Sequence, residues 1–143
     1  MKKFLAVIII LVLAFSLAAC SILNDAAKLT EYDFGNDKIP TINSHVGDRK
    51  VTHVEVGTNN GSPQKQYTYQ SDTVFDDLLA YTLYLRENSW MVTQDYDLEK
   101  TPGSAQLGKE SADEGKILIM SIAFEENKYA VKITKMDGTL SVK

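Results

Sequence analysis

One cysteine, Cys20, stands in 143 residues, so no disulfide can staple this chain to itself. Whatever folds must be held by core packing, and its core should show as periodic apolar positions. The start of the chain narrows the choice further. Lys2 and Lys3 precede an apolar run from Phe4 to Phe15, about a dozen residues. That is signal-peptide length, short of the roughly 20 residues that span a bilayer.

Small residues then lead directly into the cysteine. Leu17-Ala18-Ala19-Cys20 resembles the lipobox of bacterial lipoproteins. The resemblance implies a diacylglyceryl thioether on the Cys20 sulfur, cleavage before Cys20 and fatty acylation of the new amino terminus. One acyl chain anchors a protein only marginally, whereas two or more do so stably. The expected organisation is a signal peptide over residues 1–19, a lipid anchor and tether over 20–48, and a single domain over 49–143. The expected location is the outward face of the cell membrane. As a whole, the chain resembles small surface lipoproteins of Gram-positive bacteria in layout, without a motif from which a functional residue carries over. Ser21 after the cysteine leaves sorting to an outer membrane open for a host with two membranes.

Removal of residues 1–19 leaves 143 less 19, or 124 residues, enough for one domain. Two of the 15 basic residues leave with them, so 13 face 19 acidic ones and the balance is −6. Scattered charge of that sign argues against nucleic acid or an anionic lipid surface as the main partner, since both want clustered Lys and Arg. Residues from Ser21 to about Lys50 look irregular, broken at Gly35, Pro40 and Gly47, and read as a tether. As a flexible coil it would reach about 30 Å, and less if Ile39 and Ile42 dock on the domain.

Beyond it, alternation predicts strands over Lys50–Val56 and Lys65–Gln70, joined through a turn cluster holding Asn60-Gly61, a strong hairpin signal. Thr73 is the expected N-cap of a helix over 74–87, with Asp76 at N3 of a capping-box-like pattern. The helix should bury Val74, Phe75, Leu78, Leu79, Thr82, Leu83 and Leu85, and turn Asp76, Asp77, Ala80, Tyr84, Glu87 and Asn88 outward. Asn88 is the expected left-handed stop. Strands follow over Trp90–Tyr96, Ala105–Lys109, Lys116–Phe124 and Tyr129–Lys135, and Asp137-Gly138 signals a further hairpin into an optional edge strand at Leu140–Val142. The near-continuous apolar run Lys116–Phe124 suits a central strand covered on both faces. Tight turns between consecutive strands require an antiparallel sheet. The fold class is therefore α+β, an antiparallel sheet of about six strands in the order β-β-α-β-β-β-β with one amphipathic helix on a face.

Few residues suggest chemistry. Asp95, Asp97 and Glu99 stand at every second position and could point three carboxylates one way, as calcium prefers, but glycine and glutamate are missing where an EF-hand loop needs them. His45 falls in the tether, and His53 shares a strand side with Glu55. Ser62 and Ser104 lack the nucleophile elbow, and no phosphate loop, dinucleotide fingerprint or zinc helix is present. No catalytic residue, cofactor or metal is assigned. Seven tyrosines could build a contact surface, with Tyr84 on the polar helix face the best single candidate. The leading expectation is a non-enzymatic, lipid-anchored binding or accessory module for a protein or envelope polymer. A small-molecule or metal-binding lipoprotein comes second, and a cell-envelope hydrolase third.

Overall fold

The computed structural model describes residues 21–141. The lipobox with Cys20 and the signal segment lie outside the described residues. The elements run α1 (21–27), β1 (Glu31–Phe34), β2 (Asp37–Pro40), α2 (Ile42–Val46), β3 (Lys50–Asn59), β4 (Ser62–Gln70), α3 (Val74–Glu87), β5 (Met91–Gln94), β6 (Gly103–Glu110), β7 (Lys116–Phe124) and β8 (Lys128–Asp137). Among the described residues no helix is long and apolar enough to cross a membrane.

The architecture is α+β, with a six-stranded antiparallel sheet in the order β3-β4-β8-β7-β6-β5. Asn60 (φ +49°) and Gly61 (φ +80°) both take left-handed conformations between the paired residues Asn59 and Ser62. A two-residue turn of that kind matches the twist of the strands it joins. After β4, α3 carries the chain to the far edge, and the meander β5-β6-β7-β8 returns until β8 fills the place beside β4, with Val131 opposite Tyr67 and Ile133 opposite Met120.

One face of this sheet is dry. Tyr67 and Tyr69 of β4, Tyr129, Val131 and Ile133 of β8, and Leu118, Met120, Ile122 and Phe124 of β7 all bury there. The opposite face carries half-exposed Ile119, Ser121, Lys132 and Thr134. Strand β7 is thus covered on one face only, contrary to the expectation from its composition. All covering elements pack on the same side, and the chain's end, where Leu140 lies close to Gly108 and Gly138 to Ile117, shelters only one end of the other. That end forms no strand as far as residue 141: Gly138 donates its N–H to the Gly115 carbonyl, and Leu140 donates to the Glu110 carboxylate at 2.7 Å. Val142 lies outside the described residues.

The stretch expected to be a tether is, from Glu31 onward, part of the domain. Tyr32 and Phe34 alternate with Glu31 and Asp33, Gly35 (φ +77°) opens a two-residue turn, and Ile39 faces inward on the return. The small β1-β2 hairpin lies over the dry face, where the Tyr32 hydroxyl shares a 2.6 Å hydrogen bond with that of Tyr69. Ile42 of α2 is fully buried, so the docking left open for Ile39 and Ile42 takes place.

Helix α3 spans its predicted residues but is set differently. Thr73 stands at the N-cap without capping; its hydroxyl donates instead to Asp77 Oδ1 at 3.1 Å. At the other end Ser89 (φ +68°), one residue past Asn88, takes the left-handed conformation. Trp90 N–H then reaches the Leu85 carbonyl at 3.0 Å and Ser89 N–H the Arg86 carbonyl at 3.3 Å. This is a Schellman stop, completed by two buried side chains, Trp90 and Leu85.

Candidate functional site

Two buried ionic clusters hold the covering layer to the sheet. In the first, Asp77 of α3 accepts from Arg49 Nη2 (2.6 Å) and Nε (2.7 Å), Ser71 Oγ (2.6 Å), Thr73 Oγ1 (3.1 Å) and the Tyr129 hydroxyl (3.2 Å). Burial pushes the Asp77 carboxyl up, but Arg49 and the hydroxyl donors outweigh it and hold the pKa below the usual range. A carboxylate saturated in this way is a structural node, with no lone pair left for a substrate.

In the second cluster Lys135 of β8, itself buried, pairs with Asp37 (2.8 Å) and Asp113 (2.5 Å) and donates to the Phe34 carbonyl at 3.0 Å. Asp37 also accepts from Ser111 Oγ (2.6 Å) and Ala112 N–H (2.7 Å). Burial lowers the Lys135 pKa, yet the two carboxylates outweigh it and raise the value overall. Among the described residues every buried side-chain nitrogen and oxygen has a hydrogen-bond partner, so no orphaned polar group marks a ligand site.

The residues singled out from the sequence are dispersed. His45 stands on α2 with its ring 4.6 Å from that of Tyr84, on the covered side of the sheet. His53 is exposed on β3 opposite Thr68, which alternates with the buried Tyr67 and Tyr69, so the two histidines lie on opposite sides. The row Asp95, Asp97, Glu99 is not extended, because β5 stops at Gln94 and Asp97 Oδ1 accepts the Glu99 N–H in a local turn. Among the described residues no three His, Cys, Asp or Glu side chains gather as a metal site would need. Ser62 opens β4, and Ser104 is exposed on β6.

Tyrosines fill the interior instead of roofing the sheet with wet hydroxyls: Tyr32, Tyr67, Tyr69, Tyr81 and Tyr129 are buried. Burial raises the pKa of all five phenols. Tyr84, expected on the exposed face, is half-buried against α2.

The reason is a rotation of α3 about its axis. The buried residues are Val74, Asp77, Leu78, Tyr81, Thr82 and Leu85, whereas Phe75, Leu79 and Leu83, expected inside, face solvent. Of the eight large apolar side chains exposed among the described residues, Phe75, Leu79, Leu83 and Val92 line one groove of about 820 Å³. Its far wall is the 95–99 loop, which brings Tyr96 and Leu98 partly into the core and sets Asp95, Asp97 and Glu99 along the rim against a single cation, Arg86. Scattered apolar exposure is ordinary, whereas its convergence on one groove is the mark of a contact surface. The sequence held a signal for this: Phe75, Leu79 and Leu83 form their own i, i+4, i+8 stripe, separable from the stripe of Val74, Leu78 and Leu85.

A second cleft, of about 550 Å³, opens between β2, the end of α3 and β6, and is lined by Pro40, Tyr84, Trp90 and Lys109 among others. Comparisons with known proteins leave the fold and these surfaces to speak for themselves: no family model, no curated protein and no solved structure matches the chain.

Proposed function

We propose that this chain is a lipid-anchored, extracytoplasmic binding or accessory module, moored to the membrane through Cys20 and recognising a macromolecular partner through the exposed stripe of α3. The observation that carries the reading is the convergence of Phe75, Leu79, Leu83 and Val92 on one groove. A hydrolase is disfavoured, because the histidines lie apart and the best-ordered carboxylate, Asp77, is saturated by structural donors.

Two measurements test the two halves. Labelled palmitate should attach to the wild type and not to Cys20→Ala; label retained by the variant defeats the anchor. A photo-crosslinking side chain at Leu83 in intact cells should capture a discrete partner, lost when Leu79→Gln is added, whereas the same group at Val56 on β3 should not. Equal capture from both positions defeats the groove. The second cleft favours one further reading, a small-molecule lipoprotein, since its volume falls within the ligand-pocket range. A thermal-shift screen with a Trp90→Leu control decides whether anything binds there.

A further inference from the structure

We infer that the groove along α3 takes a basic amphipathic helix of a partner protein, one that lays leucine-like side chains over Phe75, Leu79 and Leu83 and sets lysines or arginines against Asp95 and Glu99. This rests on the reading of the groove as the contact surface and adds the chemistry of what fills it.

The shape argues for a helix. Phe75, Leu79 and Leu83 are successive members of one i, i+4 row, rising roughly 12 Å along the axis. Such a row is a ridge, and the side chains that mesh with a ridge best are those of another helix packed alongside it. Addition of a strand to the neighbouring sheet edge is less well served. Strand β5 has four residues, and its pairing with β6 slips between Val92 and Gln94. Short, irregular edges of this sort resist strand addition.

Charge selects the sign. Three carboxylates and one guanidinium line the groove, and Asp97 is already paired with Lys100 at 3.2 Å. Asp95 and Glu99 form no ion pair within the described residues. A cationic helix would meet two free carboxylates beside an apolar floor, and its charges would steer approach as well as register. A second copy of this chain would bring an identical acidic rim, in a protein whose net charge is already −4, so like charges oppose that occupant.

The test uses a synthetic 18-residue helical peptide with leucine on one face and lysine flanking it, a charge-reversed version with glutamate for lysine, and the protein over residues 20–143 with Cys20→Ala, isotopically labelled for backbone NMR. The lysine peptide should shift amides of 75–86 and 92–99 and leave the β3 edge unmoved, and the glutamate peptide should bind at least tenfold more weakly. Leu79→Gln with Leu83→Gln should abolish the shifts. Asp95→Asn with Glu99→Gln should weaken binding about tenfold, the size expected of two partly exposed ion pairs, and flatten its salt dependence. Met136→Gln, at an exposed apolar position on β8 outside the groove, should change neither.

Equal binding of both peptides at the groove overturns the basic helix while leaving the groove a contact surface. Shifts elsewhere, or no binding by either peptide, overturn the helix proposal, and the Leu83 crosslink then decides the groove by itself. A dimer in sedimentation that Leu79→Gln dissociates assigns the groove to a second copy and overturns the proposal as well.

Discussion

On the flank of α3 that meets the sheet, Asp77 and Tyr81 sit between Leu78 and Leu85, and all four are buried; on the other flank, Phe75, Leu79 and Leu83 stand in solvent. A carboxylate lies inside while a phenylalanine lies outside. The difference teaches that the orientation of a helix follows the sum of what its neighbours offer each side chain. Arg49, Ser71, Thr73 and Tyr129 together give Asp77 five hydrogen bonds, and such a carboxylate loses little by leaving water. For Phe75, Leu79 and Leu83 the fold supplies no cover, and that is the condition of a surface kept for another molecule.

The comparison is broken most severely at its polar member. Asp77→Ala strips the partner from a half-buried Arg49 and two hydroxyls, and should cost about 3–5 kcal/mol in urea denaturation; a loss under 1 kcal/mol would show that the carboxylate does not orient the helix. Leu78→Ala, the apolar member of the same flank, should cost about 2–5 kcal/mol, with the spread set by how far the site collapses.

Acid should act on the same flank. The folded pKa values of Asp77 and Asp37 are lowered, so their stabilisation is present above the ordinary aspartate value of roughly 3.9 and is lost as pH falls through the lower folded values. Melting temperature should therefore drop steeply below about pH 4 in the wild type and less steeply in Asp77→Asn. Parallel curves would place the acid sensitivity elsewhere.

Tyr81→Phe removes a hydroxyl that donates to the Pro40 carbonyl at 2.9 Å and should cost about 1 kcal/mol. The smallest effect belongs to the exposed flank. Leu79→Gln should change stability by no more than about 0.5 kcal/mol, which a single thermal melt resolves. A loss of several kcal/mol there would mean that the flank is core after all and that the groove is not a free surface.

Much of the fold was legible because strands and helices announce themselves through neighbours two or four residues apart. Asn60-Gly61 specified its hairpin, the apolar spacing specified α3 from Val74 to Glu87, and six strands followed in the expected order. The β1-β2 hairpin was missed, although Tyr32 and Phe34 alternate ahead of Gly35, because each strand is only four residues and the turn residues read as breaks. The groove was missed because two apolar stripes lie side by side on α3, and counting hydrophobic residues merges them. Tyr84 drew attention for its place among the polar residues of the helix, yet α2 covers it, and the sequence around Thr41–Val46 carried too little periodicity to announce that helix.

By itself, then, the sequence determined that the chain has no disulfide, which residues form the strands of the sheet and where α3 begins and ends, since each depends on composition or on contacts within a few residues. Tertiary structure decided which flank of α3 is inside, that residues from Glu31 onward belong to the domain, and that four apolar side chains share one groove. Those choices rest on partners far away in sequence: Arg49 meets Asp77 across 28 positions, Tyr129 across 52, and Lys135 reaches the Phe34 carbonyl across 101. No local pattern carries the energy of such meetings, because they exist only once the sheet has brought the partners together.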